Sequence, residues 1–419
     1  MLCRDGQMRN TVLMIAFHFP PAAMGSGHLR TLGFARYLPA LGWDPIVLSA
    51  RAPAYPRTAP MNDDSIPPGC LVHRAFALDA RHLGLRGKYP GFLAQPDRWI
   101  SWWPAAIWRG LQLIRRHRVR VIWSTYPIMS AHCIARTLSA ITGLPWVADF
   151  RDPVASSISA SNPYSVASQL RWERRVLRSA ARIVFTTQGA LDDYAERFPA
   201  ASQEGRLTVI ANGYEENAFS NLPAAPPPLR GRPLVLLHSG LLYAEGRNPV
   251  PFFEALARLK ASGSVDAQNL KVVLRASGFE STYARAIQRL DLDDIVTLAP
   301  SVSYKDALAE QAEADALLLF QGSKFDRQIP AKLYEYLRIG RPIFALVGER
   351  GDTASFLRGI SGAQLASPDD VSTIETHLIK FVDALHAGHA LQSLPDVVGK
   401  YSRREGAVSL AKILDELTD

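Results

Sequence analysis

The sequence predicts an α/β protein of two domains. Short apolar runs alternate with amphipathic stretches along the whole chain, the signature of parallel sheets covered by helices. At 419 residues the chain is long for one hydrophobic core and suits two. A connector carrying five prolines, LPAAPPPLRGRP at 222–233, separates two such alternating halves. The domains are therefore expected at 1–221 and 234–400, followed by a closing helix over 401–419.

In the first half the strands are read at 12–17, 45–48, 119–123, 146–148, 183–186 and 207–210, and 51–68 as a long surface loop. In the second they are read at 234–238, 271–276, 296–298, 316–320 and 343–347. The last helix starts with a capping box, Ser402 and Glu405, and carries Val408, Leu410, Ala411 and Leu414 as its apolar face.

Composition narrows the function. A chain that is 47% hydrophobic and 21% charged is an ordinary globular mixture. Its three cysteines, Cys3, Cys70 and Cys133, are too few and too scattered for a disulfide framework or a zinc site, which fits a reducing, cytoplasmic setting. No metal-ligand spacing appears among the histidines, and Asp291, Asp293 and Asp294 read as a solvated turn, so no metal is expected. The net charge of +8 is unevenly placed: residues 1–221 carry 25 Lys and Arg against 15 Asp and Glu, and the remainder 22 against 24. A basic first half suits an anionic membrane surface or a phosphorylated substrate. Nucleic acid is disfavoured, because the arginines are spread through an α/β domain without a recognition motif. The run at 11–23 imitates a signal peptide, but it is short and is needed as a central strand. No run approaches the roughly 18 apolar residues that span a bilayer.

Several constellations carry chemistry. In QIPAKLYEYLRIGRPIFAL (328–346), Ile329 and Pro330 close a loop, a short helix follows, and Gly340 stops it before a buried strand. The N-terminus of that helix, with Lys332, suits a diphosphate, and Glu335 one turn inside is placed to accept hydrogen bonds from ribose hydroxyls. Ser239-Gly240 ends another strand, with Arg247 a short loop later. Gly25, Ser26 and Gly27 follow the first strand and admit close backbone approach to an anion. A dinucleotide fingerprint would need glycine where Arg30 stands; Arg51 alone keeps a dehydrogenase alive. Asp149, Arg151 and Asp152 sit at a strand's carboxyl end, where Arg151 can pair a phosphate and Asp152 can orient an acceptor hydroxyl or take its proton, unless the group is a salt-bridged corner. The run at 98–121 sets Trp99, Trp102, Trp103 and Trp108 before Arg109, Arg115, Arg116, Arg118 and Arg120, which fits a membrane interface and equally a helix packing its tryptophans on the sheet.

The segments at 18–30, 146–153, 211–215, 238–249 and 329–342, in this order, resemble GT-B glycosyltransferases, above all the family 4-like, usually retaining, enzymes of bacterial surface-polysaccharide assembly. The resemblance runs from about Thr11 to about Leu414. It implies two Rossmann-like domains facing each other across a cleft, with the last helix crossing back onto the first domain. It also implies sugar transfer, of hexosyltransferase type, from a nucleotide-sugar to a lipid-linked or saccharide acceptor, without a metal or other cofactor. Lipopolysaccharide or exopolysaccharide synthesis at the inner membrane face is the implied setting. Arg247 and Lys332 would hold the leaving diphosphate, Ser239, Gly240, Ile329, Pro330 and Glu335 the donor, and Gly25, Ser26 and Gly27 would face the acceptor. The chain departs from the family at Leu241, where many relatives carry arginine, at Arg327, where they carry the first of two glutamates, and in Ser124-Thr125-Tyr126-Pro127, where they carry a histidine. A non-catalytic partner protein and a nucleotide-sugar epimerase on the same fold are the alternatives.

Overall fold

The computed structural model describes residues 9–22, 27–59, 66–83, 94–154, 163–220, 222, 231–388 and 398–419. It divides into two compact units, residues 1–212 with 403–419, and residues 213–402. Most of the proline-rich connector, 223–230, and part of the 51–68 loop lie outside the described residues.

Unit 1 is built on β1 (Asn10–Ile15), β2 (Trp43–Ala50), β3 (Leu71–Ala75), β4 (Val121–Thr125), β5 (Trp146–Phe150), β6 (Arg182–Phe185) and β7 (Leu207–Val209). All pairings are parallel, in the order β3-β2-β1-β4-β5-β6-β7. The unbroken apolar run of β1 follows from burial on both faces: Leu13 and Ile15 join one core while Val12 and Met14 join the other. On the first face lie α2 (Trp102–His117), α3 (Met129–Thr142) and α4 (Pro163–Ser179), and on the second α1 (Gly27–Tyr37). Two helices, α5 (Gln188–Arg197) and α6 (Pro199–Gln203), close the unit's continuous part.

Unit 2 repeats the plan with β8 (Leu234–Ser239), β9 (Leu270–Arg275), β10 (Val296–Ala299), β11 (Ala316–Gln321), β12 (Ile343–Val347) and β13 (Ala363–Ala366), parallel in the order β10-β9-β8-β11-β12-β13. Its helices are α7 (Val250–Ala261), α8 (Glu280–Arg289), α9 (Tyr304–Glu313), α10 (Ala331–Ile339), α11 (Asp352–Arg358) and α12 (Val371–His386). The closing helix α13 (Arg403–Glu416) belongs to unit 1, where Ala407, Leu410, Ala411 and Leu414 pack with Phe34, Trp43 and Trp123. The strand order reverses between β1 and β4 and again between β8 and β11, and crevices at such switch points are where α/β sheets bind ligands.

Eleven of these strands are anticipated by the apolar runs. The two that are not, β3 (LVHRA) and β13 (AQLA), are edge strands whose residues are mostly half-exposed, so their composition carries little apolar signal.

Candidate functional site

In unit 2 the predicted donor residues gather at the carboxyl ends of β8 and β11. Gly240 follows β8 at φ 119, and a Cβ there would stand 2.7 Å from Lys332 Nζ, so the glycine lets the lysine end lie against the backbone. Arg247 sits on a small hairpin closed by Arg247 N to Tyr243 O at 2.9 Å and Tyr243 N to Arg247 O at 3.2 Å. Its guanidinium lies over the Tyr243 and Phe325 rings at 5.4 and 6.0 Å and donates to Gln321 Oε1 at 3.3 Å. A cavity of about 200 Å³ opens beside it, lined in part by Glu245, Gln321, Lys324 and Asp369.

Helix α10 begins after Pro330 with no side chain capping its first amides, and Gly340 at φ 80 ends it by donating to Tyr336 O at 3.0 Å. Lys332 is in its first turn, and Glu335, 9% exposed, accepts from Tyr304 Oη at 2.8 Å. Burial pulls the Lys332 ammonium down to about 7; Arg247 adds to that and Glu335 opposes it. Among the described residues neither Lys332 nor Arg247 has a carboxylate at ion-pair distance. Two uncompensated cations therefore converge on an uncapped helix N-terminus at a switch point, an arrangement that stabilises an anion. Asp326 does not replace the family glutamate missing at Arg327, because its carboxylate is packed against Gly348 and Gly351.

In unit 1 the predicted residues divide. Gly25 and Ser26 lie outside the described residues. Gly27 opens α1 with Arg151 directly against it: a Cβ there would stand 2.4 Å from Arg151 Nη1. Arg151 pairs with Asp152 at 3.0 Å, both part-exposed. The salt-bridged corner is made by Asp149 instead. Fully buried, it binds Arg30 at 2.8 Å and accepts from Thr125 Oγ1 at 2.8 Å, while Arg30 also donates to Ile210 O at 2.9 Å and Ala211 O at 3.0 Å. Arg30 is thus a structural tie. Ser124 likewise binds Trp146 Nε1 and His132 Nδ1, both at 2.7 Å.

Sequence reasoning finds no histidine at this end of the sheet; the structure corrects that. His18, just past β1, is held down to about 3 by burial and then by Arg151, so it stays neutral beside the arginine, and its Nε2 is buried without a partner among the described residues. The signal was present in HFPP, yet no spacing marks a lone histidine after a strand. In unit 2 the missed residues are His238 and Tyr304.

The tryptophan run is mostly core. Trp102 is fully buried, Trp99 is 7% exposed and donates to Ala54 O at 3.1 Å, and Trp103 packs edge-on against Trp172; only Trp108, 65% exposed, faces solvent. The arginines of α2 remain outside, and a cleft of about 620 Å³ is lined by His73, Arg109, Gln112, Leu113, Arg115 and Arg116. The Asp291 and Asp294 carboxylates pair with Lys260 at 3.0 and 2.8 Å, and among the described residues no cluster suited to a metal occurs. No described helix is long and apolar enough to cross a membrane.

Residues 26–213 match the family described as Glycosyl transferase 4-like domain. No curated protein matches the chain in sequence. Among solved structures it is similar to sucrose-phosphate synthase from Thermosynechococcus elongatus, with a TM-score of 0.69 at 15% identity, covering 98% of this chain and 99% of that one. Anabaena HepE in complex with UDP-glucose gives 0.64 at 16%, covering 97% and 99%. WaaG, a glycosyltransferase involved in lipopolysaccharide biosynthesis, gives 0.60 at 13%, covering 96% and 99%. A putative UDP-N-acetylglucosamine 2-epimerase from Listeria monocytogenes shares the fold less closely, at 0.55 and 12%, covering 98% of each chain. Identities this low speak for the fold, and the family match speaks for the first unit. The chain has the two-domain α/β fold of GT-B glycosyltransferases, and its residues 26–213 match the glycosyl transferase 4-like domain.

Proposed function

We propose that this protein transfers a sugar from a nucleotide-sugar to a hydroxyl of a lipid-linked or saccharide acceptor, with retention of configuration, in the assembly of a surface polysaccharide. The observation that carries this is the convergence of Arg247 and Lys332, without a carboxylate partner, on the N-terminus of α10, with Glu335 buried one turn inside. As the bond from the sugar's anomeric carbon to the diphosphate breaks, charge grows on the departing oxygens. Arg247, Lys332 in its charged form and the helix dipole stabilise that charge. Glu335 accepts from the ribose hydroxyls in place of Tyr304. Asp152, with its partner Arg151, orients the acceptor hydroxyl. The HepE complex with UDP-glucose supports a nucleotide-sugar donor, and WaaG's part in lipopolysaccharide synthesis supports the setting. The basic outer face of α2, with Trp108, supports peripheral contact with an anionic membrane.

The test is a thermal-shift screen of nucleoside diphosphates and their sugars, because a ligand that binds only the native state raises the apparent stability. A positive donor is then offered with and without lipid-linked acceptors. Stabilisation by a nucleoside diphosphate that is lost in Arg247→Ala and Lys332→Ala supports the donor site, and no shift with any of them overturns it. Turnover of a nucleotide-sugar without acceptor would make the protein an epimerase, and tight binding with no turnover of any acceptor a non-catalytic partner.

A further inference from the structure

The donor site gives Lys332 a task and leaves its neighbour His238 without one. His238 is the penultimate residue of β8, fully buried, with its ring edge-on to Phe320. Its Nδ1 lies 2.8 Å from Leu318 O on β11, and a carbonyl only accepts, so Nδ1 carries the proton. Its Nε2 lies 3.3 Å from Lys332 Nζ and 3.1 Å from Gly240 O. The opposite tautomer would serve Gly240 and abandon Leu318, but it would also set a ring N–H against an ammonium, which only donates. With Lys332 in its charged form, the contact makes the ring an acceptor. Burial first, with Lys332 and then Arg247 adding to it, holds the imidazolium well below its usual range.

We propose that His238 is a positioning residue, whose Nε2 lone pair fixes the Lys332 ammonium at the mouth of α10 in the direction from which a diphosphate meets it. The proposal rests on the donor-site reading above. A neutral acceptor suits this task better than a carboxylate. An acid would neutralise Lys332 and compete with the incoming phosphates, whereas an imidazole orients the ammonium and leaves its charge uncompensated for the ligand. The groups facing Lys332 are His238 from β8, Arg247 from the hairpin after it, and Glu335 on α10, while Tyr336 Oη accepts from Ser239 N at 3.2 Å. Glu335 is the one acid in that set, and Tyr304 already donates to it. Because Lys332 titrates at about 7 in the empty site, a diphosphate that stabilises its charged form draws in a proton when it binds above that pH.

The experiment is calorimetric titration with UDP, and with ADP and GDP in parallel, across pH 6.5 to 8.5 in buffers of different ionisation heat. Wild type is expected to bind with proton uptake that grows as pH rises. In His238→Gln the side-chain oxygen replaces Nε2 as acceptor, and affinity is expected to stay within about threefold of wild type. In His238→Asn the shorter amide serves Leu318 but does not reach Lys332, so affinity is expected to fall about tenfold or more, while the proton uptake, which comes from the burial of Lys332, persists. A purely structural histidine predicts the reverse order, with thermal stability tracking the loss. Should His238→Asn not fold, His238→Ala is measured in the wild-type and the Lys332→Met backgrounds: a residue acting through Lys332 has no further effect in the second, and additive losses overturn the proposal. Wild-type affinity in His238→Asn overturns it while leaving the donor site intact. Failure of the wild type to bind any of the three nucleotides removes the donor site and this proposal together.

Discussion

Asp149 and Asp152 lie within one short segment and do opposite work. Asp149 is fully buried against Arg30, so Asp149→Asn leaves a buried guanidinium without its counter-charge and will destabilise unit 1 by about 3 to 5 kcal/mol, read by urea unfolding. Asp152 is part-exposed, and Asp152→Asn is expected to leave stability unchanged while turnover falls about tenfold or more at unchanged donor affinity. Equal loss of stability and turnover would return Asp152 to a structural role. If Glu335 accepts from the ribose as proposed, Glu335→Ala will weaken nucleoside diphosphate binding by about 1.5 to 3 kcal/mol, a change calorimetry resolves. These positions were legible in the sequence because each belongs to a strand-end or helix-start pattern. His18, His238 and Tyr304 were not legible. Each lies beside a neighbour far away in sequence, Arg151, Lys332 and Glu335 respectively, and local spacing carries no trace of such proximity.

At the scale of elements, the glycines around the donor site carry the geometry. Gly246 sits at φ 146 in the Arg247 hairpin, its carbonyl accepting from Gly322 N at 2.7 Å, and a Cβ there would stand 2.3 Å from the Phe325 ring. Gly246→Ala will therefore displace Arg247 and weaken diphosphate binding. Gly340→Ala, at the left-handed end-of-helix position with φ 80, is expected to cost about 1 kcal/mol of stability and leave binding unchanged. Comparing the two variants by calorimetry and thermal melting separates strain at the site from strain in the scaffold. The apolar strands were readable because central strands are buried on both faces, and the edge strands β3 and β13 were not. Helix α2 shows a second limit of sequence reading. A row of tryptophans and arginines has the same composition whether its rings enter a core or a lipid headgroup layer, and only packing against Phe17 and Trp172 assigns Trp99, Trp102 and Trp103 to the core.

Across the whole molecule, His18 and His132 make stability fall in acid. His18 and His132 are both held down to about 3, chiefly by burial, against 6.5 in the unfolded chain. As pH falls below 6.5 the unfolded chain takes up protons that the native protein refuses, so stability is full above that value and is lost progressively towards pH 3. Thermal melting across this window will show the decline, and His132→Gln will flatten it if the substitution is accommodated. The uneven charge gives a second prediction. Co-sedimentation with anionic vesicles is expected at low salt, to fade with added salt, and to weaken when Arg115 and Arg116 become Gln, with about 1 kcal/mol at stake per cation near the surface. Indifference to anionic vesicles at low salt would point to a soluble acceptor instead.

Helix α13 has one more implication, and it concerns the order of synthesis. Unit 1 is interrupted in the chain: residues 213–402 are made between its body and its last helix. Until α13 emerges, Phe34, Trp43 and Trp123 lack the cover of Leu410, Ala411 and Leu414, and the Trp43 indole lacks its acceptor, Asp415 Oδ1 at 2.8 Å. The ribosome therefore delivers unit 2 complete while unit 1 still carries an open apolar face, and the nascent chain must keep that face from sticking elsewhere for some 190 residues of translation.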